Sequence, residues 1–149
     1  MEKTQGWLQD AKLLMKREEA VIVVVKDGRQ WTSHKNGIAP LMELLSENPD
    51  FLRGASVLDR VVGRAAAMLM EHGGVARLHA LLVSEPAMST LDRSGIAYTF
   101  EERTPYIENR DRTGQCPMES ASLEIDDPAE AYAILGKKIA GMRSAQKDA

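Results

Sequence analysis

The sequence predicts a three-layer α/β/α sandwich built on a five-stranded mixed sheet. One observation is the β-branched run Ala20–Val25, which is apolar on both faces, as expected of an inner strand. A second is the Asp-Gly pair that follows, which favours a hairpin with a return strand over Arg29–Ser33. The third is a pair of strand-like segments, Arg77–Val83 and Ile96–Phe100, separated by a helix-like segment. Such strands are expected to be parallel neighbours joined by a right-handed crossover.

Length and composition indicate one globular domain. The chain has 149 residues, of which 44% are hydrophobic and 28% charged. A chain of this length can bury about two-thirds of its surface, which is enough for one core without metal or disulfide support. We therefore expect a single domain over residues 1–149, with an ordered core over about 6–143.

Charge and cysteine content exclude several function classes. The net charge of −3 argues against nucleic-acid binding through bulk charge. The one cysteine, Cys116, allows neither an intramolecular disulfide nor a cysteine-based zinc cluster. Residues Met1–Gly6 are polar, without the apolar segment of a secretory signal, and no apolar run is long enough to span a bilayer. We expect a cytoplasmic protein with no membrane association.

Apolar residues at helical spacing predict the first two helices. The first covers about Gly6–Glu19, ahead of the Ala20–Val25 strand. The second begins near Pro40, a residue type favoured in the first helical turn, and ends at about Ser46 before an Asn-Pro-Asp break.

The longest predicted helix runs from Val57 to His72. Gly54 precedes it, Ser56 and Asp59 approximate a capping box at its start, and a Gly-Gly pair ends it. Its apolar face is formed by residues at helical spacing, namely Leu58, Val61, Val62, Ala65, Met68 and Leu69.

Residue types that favour helix ends and loops indicate where the next helix and a long loop lie. Ser84 is the expected N-cap of a helix that begins at Pro86 and ends at Gly95. Apolar residues between Glu101 and Glu119 follow neither helical nor strand spacing, which predicts a long loop.

The end of the chain predicts one short strand and one helix. Leu123–Ile125 is the candidate fifth strand. Asp127 and the proline after it begin a last helix that is expected to reach about Arg143.

Several short segments carry a family resemblance and together cover about Gly6 to Leu135. They are Val23-Val-Val-Lys-Asp-Gly28, Gly37-Ile-Ala-Pro-Leu41, Gly54-Ala-Ser56 with Asp59-Arg-Val-Val-Gly63, Ser84-Glu-Pro-Ala87, and Thr113-Gly-Gln-Cys-Pro-Met-Glu119. This set resembles the uncharacterised prokaryotic family DUF1893. The resemblance implies a cytidine deaminase-like fold, and it implies no reaction, because the family has no established activity.

The zinc deaminase signature can be compared with this sequence directly. Such enzymes place a His or Cys with a Glu two residues on at one helix start, and Pro-Cys-x-x-Cys at the next. The two helix starts predicted here read Asp59-Arg60-Val61 and Ser84–Ser89, without a cysteine and without the general acid/base Glu in its place. None of the three histidines has a partner at metal-ligand spacing. We expect no metal, no cofactor and no zinc-dependent deaminase activity.

The predicted site lies where the parallel strands end. The helix that starts at Pro86, the helix predicted from Val57 and the long loop are all expected to begin at that edge of the sheet. Helix N-termini favour anions, and Arg110 or Arg112 could clamp one. The candidate ligand-binding residues are Ser56, Asp59, Ser84, Glu85, Asn109, Arg110, Arg112, Cys116 and Glu119.

Three functions from different classes follow. The leading prediction is a metal-free domain that binds a small anionic or nucleotide-like ligand. The first alternative is an enzyme or redox protein that uses Cys116, with His34, Glu85 or Glu119 as its base. The second alternative is a structural subunit of a homo-oligomer. Trp31 is interpreted as a core or edge residue rather than a ligand platform.

Overall fold

Five strands form one mixed sheet in the computed structural model, which describes residues 2–107, 125 and 127–137. The strands are β1 (Ile22–Lys26), β2 (Arg29–Ser33), β3 (Ser56–Val62), β4 (Arg77–Ser84) and β5 (Ala97–Thr104). Their order across the sheet is β2-β1-β3-β4-β5. β1 is antiparallel to both of its neighbours, whereas β3, β4 and β5 are mutually parallel. The predicted five-stranded mixed sheet is confirmed.

Helices cover both faces of the sheet. They are α1 (Glu2–Glu18), α2 (Ala39–Glu47), α3 (Pro49–Leu52), α4 (Arg64–Gly73), α5 (Glu85–Ser94) and α6, of which residues 128–137 are described. α1 packs Ala11, Leu14 and Met15 against one face of β1 and β3. α2 to α6 bury the other face in a larger apolar cluster. The three-layer α/β/α architecture is therefore confirmed.

The predicted helix from Val57 to His72 is wrong in its first half. Residues Ser56–Val62 form β3, and the helix α4 begins only at Arg64. The apolar residues of this segment fit both helical and strand spacing, and four of the seven positions from 56 to 62 are Val or Leu, of which three are β-branched. These residues form a strand because β3 is the middle strand of the sheet, where it hydrogen-bonds to β1 on one side and to β4 on the other. Ser56 and Asp59 are consequently strand residues and not a capping box.

Two further strand predictions need correction. Ile125 lies outside any strand, and residues 123 and 124 are outside the described part of the chain, so β3 takes the place of the expected fifth strand. β5 continues to Thr104, where the sequence predicted a loop from Glu101. The alternating polar residues at the end of β5 hide its strand character, because this edge strand is exposed along most of its length.

Other local predictions are confirmed. β1 is an inner strand, between β2 and β3. Ser84 caps α5, since its hydroxyl accepts a hydrogen bond from the Ala87 N–H at 3.2 Å. At the start of α6, Asp127 Oδ1 accepts from the Ala129 N–H at 3.2 Å.

α6 completes the helical layer beside α2 and α4. The ring of Tyr132 lies 5.3 Å from that of His72, measured between centroids. Ala131 and Leu135 are fully buried in the larger cluster. Within the described part of the chain, no helix is long and apolar enough to cross a membrane.

Candidate functional site

Four of the five strands end at the same edge of the sheet, called here the carboxyl edge. β2 and β3 are both antiparallel to β1, and β4 and β5 run parallel to β3. α4 and α5 begin within two residues of the ends of β3 and β4, and α2 begins after a short turn that follows β2. Open α/β sheets commonly bind ligands at such an edge, where helix N-termini favour negative charge.

The structure brings only some of the predicted site residues together. Ser84 is fully buried at the carboxyl edge, and the exposed Glu85 is the first residue of α5. Ser56 pairs with Arg77 at the start of β4, which is the opposite end of the sheet. With about 3.3 Å per residue, Ser56 lies about 23 Å from Ser84 along the strands. Ser56 therefore does not share a site with Ser84.

The other predicted site residues are Asn109, Arg110, Arg112, Cys116 and Glu119. They lie outside the described residues. Their convergence with Ser84 at the carboxyl edge stays a prediction.

Asp59 is a buried carboxyl group in the middle of the sheet. It pairs with Ile22 of β1 and Ala80 of β4, and only 3% of the residue is exposed. Burial raises the pKa of the Asp59 carboxyl to about 8, although the backbone N–H groups of Val61 and Arg60 lower it. The group therefore keeps its proton near neutral pH and faces the core rather than a ligand.

Arg64 ties the beginning of α4 to the middle of α5 and to the chain ahead of α6. It is the first residue of α4 and is only 7% exposed. Its guanidinium donates to the Thr90 hydroxyl of α5 at 3.4 Å and to the Ile125 carbonyl. Buried guanidinium groups need such partners, because burial without hydrogen bonds is costly. Arg64 thus holds α4, α5 and residue 125 in one arrangement.

A groove of about 460 Å³, called here the β2 groove, opens beside the end of β2. Small-molecule sites commonly have volumes of about 300–1,000 Å³. One half-buried aromatic ring contributes to it, together with hydroxyl groups and both signs of charge. Its lining residues are Trp31, Thr32, Ser33, His34, Lys35 and Glu43.

Hydrogen bonds and one ion pair fix several of the side chains that line the β2 groove. The Ser33 hydroxyl accepts from the Lys35 backbone N–H at 3.1 Å, which fixes the turn after β2. Lys35 Nζ lies 2.9 Å from Glu43 Oε2. His34 Nδ1 lies 3.2 Å from the Glu19 carbonyl oxygen, which can only accept, so Nδ1 carries the hydrogen. In the neutral ring Nε2 is then left as an acceptor.

A second groove, of about 360 Å³, lies at the opposite edge of the sheet. Its charges are mixed, with Lys26 and Arg29 beside Asp27 and Asp50, and the Lys26 ammonium already donates to the Asp50 carbonyl. This groove lies away from the carboxyl edge and its lining includes no hydroxyl group, so it is the weaker candidate.

Because residues 56–62 form a strand, the two helix starts that correspond to the zinc deaminase signature are those of α2 and α4. α2 is the first helix after β2, and α4 follows β3. Their first turns begin Ala39-Pro40 and Arg64-Ala65, and these side chains supply neither thiolate nor imidazole. Among the described residues there is no group of three or more His, Cys, Asp or Glu side chains that could hold a metal ion.

Sequence reasoning missed most of the β2 groove. Trp31 was interpreted only as a core or edge residue, and it does pack partly against the main core. The available signal was the polar run Thr-Ser-His-Lys directly after a strand, since side chains at strand ends often line sites. Glu43 gave no signal, because it reaches the groove only through the packing of α2.

The fold and its carboxyl edge define a class, the three-layer α/β/α domain with a mixed five-stranded sheet. The family model "TM1506: Domain of unknown function (DUF1893)" matches residues 10–139. This chain belongs to the DUF1893 family. The crystal structure of a DUF1893 family protein (TM1506) from Thermotoga maritima, at 2.70 Å resolution, is similar to it with a TM-score of 0.81 and 29% sequence identity, covering 88% of each chain. No curated protein matches the chain.

Proposed function

We propose that this protein binds a small anionic ligand of nucleotide-like chemistry in the β2 groove, without a metal. The observation that carries the proposal is the groove itself, which combines an aromatic ring, a cation and hydroxyl groups in about 460 Å³ at the carboxyl edge. A nucleotide presents a flat base, sugar hydroxyls and a phosphate, and each has a counterpart in the lining.

Trp31 is the counterpart of the base. Its side chain is half-buried and packs against the main core, which restricts the motion of the ring. Stacking of a base on an aromatic side chain contributes roughly 1–3 kcal/mol. A fixed ring loses little conformational entropy when the ligand binds.

Lys35 and Glu43 are the counterparts of the phosphate and the sugar. Their side chains form an ion pair at 2.9 Å and are 56% and 31% exposed. Exposed pairs of this kind contribute only about 0–1 kcal/mol, so a ligand phosphate can replace the carboxylate on Lys35 at small cost. Glu43 is then available to accept a hydrogen bond from a sugar hydroxyl.

Fluorescence of Trp31 tests the proposal. The chain has two tryptophans, so Trp7→Phe leaves Trp31 as the only reporter. Titration of this variant with each of the four ribonucleoside monophosphates is expected to give saturable quenching by at least one of them. Inorganic phosphate and adenosine, added separately, are expected to bind more weakly, because each engages only part of the groove. Absence of saturable quenching with all four nucleotides would contradict the proposal.

Lys35→Ala is expected to weaken nucleotide binding by about tenfold or more, because a hydrogen bond to a charged group contributes roughly 1.5–3 kcal/mol. The control is Arg93→Ala, which removes an exposed cation of α5 on the side of the sheet formed by β4 and β5. Equal dissociation constants for Lys35→Ala and Arg93→Ala would exclude Lys35 as the phosphate ligand.

The two alternatives remain proposals with their own measurements. An enzyme or redox protein that uses Cys116 predicts unusually fast alkylation of that thiol near neutral pH. A structural subunit of a homo-oligomer predicts a molar mass above that of one chain by light scattering.

A further inference from the structure

A second group of chemically active side chains lies at the β5 edge of the sheet, far from β2. His79 of β4 is 7% exposed and is hydrogen-bonded through both ring nitrogens to β5. Its Nδ1 lies 2.6 Å from the Thr99 hydroxyl, and its Nε2 lies 2.9 Å from Glu101 Oε2. Lys12 of α1 binds the same carboxylate oxygen at 2.7 Å.

The hydrogen atoms of this group follow from the partners. The Lys12 ammonium and the His79 ring hold the pKa of the Glu101 carboxyl below its usual range. An ionised carboxylate can only accept, so Nε2 of His79 carries the hydrogen. In the neutral ring Nδ1 is therefore an acceptor, and the Thr99 O–H donates to it.

Thr99 and His79 differ in their exposure to solvent. Thr99 is exposed on β5, which is an edge strand, whereas His79 beside it on β4 is buried. A base that activates a nucleophile needs this arrangement, with the hydroxyl open to a reagent and the base oriented by a carboxylate.

We propose that Thr99 is an acyl-acceptor site, activated by His79 and Glu101, that takes an acyl group from activated acyl donors. Thr99 Oγ forms a bond to the acyl carbonyl carbon while its proton moves to His79 Nδ1. The bond between that carbon and the leaving group then breaks, and His79 returns the proton to the leaving group or to water. The product is a threonine ester and the free leaving group, with no change of oxidation state.

The test uses p-nitrophenyl acetate on the full chain. One equivalent of p-nitrophenolate is expected to be released rapidly, with one acetyl group on the peptide that contains Thr99. Alkaline hydroxylamine is expected to remove it, because oxygen esters react with hydroxylamine at high pH and lysine amides do not. Acetylation found only on Lys12, or an adduct that resists alkaline hydroxylamine, would overturn the proposal.

Variants separate activation from simple exposure. Thr99→Val is expected to abolish the hydroxylamine-sensitive adduct, and Thr99→Ser to keep it. His79→Gln is expected to lower the acetylation rate by about a hundredfold or more, the usual contribution of a positioned base. Thr104, a hydroxyl on the same strand that donates to the Tyr106 carbonyl, is the internal control and is expected to stay unlabelled. Equal labelling of Thr99 and Thr104, or an unchanged rate in a folded His79→Gln variant, would refute the activation.

Discussion

Raising the pH from 5 to 8 is expected to lower the free energy of unfolding through Asp59, by up to about 4 kcal/mol. Burial raises the pKa of the folded Asp59 carboxyl to about 8, from an ordinary value of 3.8. Between these values the unfolded chain has released a proton that the folded chain still holds, so unfolding is favoured as pH rises. The slope is at most about 1.4 kcal/mol per pH unit. The contribution is complete below pH 4 and is lost as the pH rises to about 8.

Asp59→Asn isolates this contribution, because the amide does not titrate. Urea unfolding of both proteins at pH 5, 6, 7 and 8 is expected to show the variant gaining stability relative to the wild type at each step. Asp10→Asn, at an exposed position of α1, is the matched control and is expected to leave the pH dependence of the wild type unchanged. A constant difference between Asp59→Asn and the wild type across this range would show that the Asp59 carboxyl is ionised in the folded state.

Much of the sheet is predictable from local patterns. The β1 run is apolar on both faces, and only an inner strand buries both faces of such a segment, as β1 does between β2 and β3. The tight turn between β1 and β2 has positive φ at Asp27 and Gly28, as the Asp-Gly pair indicates. Both features depend on neighbouring residues alone, so no tertiary information is needed.

β3 was not predictable in the same way, for a physical reason. Leu58, Val61 and Val62 fit one face of a helix, and the helix-forming alanines that follow extend the same pattern. Gly63 separates strand from helix, and it has an extended backbone with φ −95° and ψ 179°. The choice of strand is made by hydrogen bonds to β1 and β4, which are distant in sequence.

The sequence predicts a candidate site at the carboxyl edge, and the structure brings only some of its proposed residues to that edge. Parallel strands and the helices that follow them locate the carboxyl edge, and Ser84 with Glu85 lies there. Ser56 was assigned to the carboxyl edge because its segment was predicted as a helix start. It is instead the first residue of β3, at the opposite end of the sheet. Glu43 and the Thr99–His79–Glu101 group depend on which strands and helices become neighbours, and a single sequence does not carry that information.

Arg64→Ala is expected to lower the free energy of unfolding by about 2–4 kcal/mol. The change removes the donor to the Thr90 hydroxyl and to the Ile125 carbonyl, and a buried acceptor left without a partner costs about 1–3 kcal/mol. It also removes a side chain that fills space between α4 and α5.

Arg64→Lys is expected to recover less than half of the loss, because one ammonium lacks the planar fork that reaches two separate oxygens. Arg17→Ala, at an exposed position in the last turn of α1, is the control and is expected to cost about 1 kcal/mol at most. Urea unfolding measures all three variants. If Arg64→Ala is as stable as Arg17→Ala, the guanidinium does not hold α4, α5 and residue 125 together.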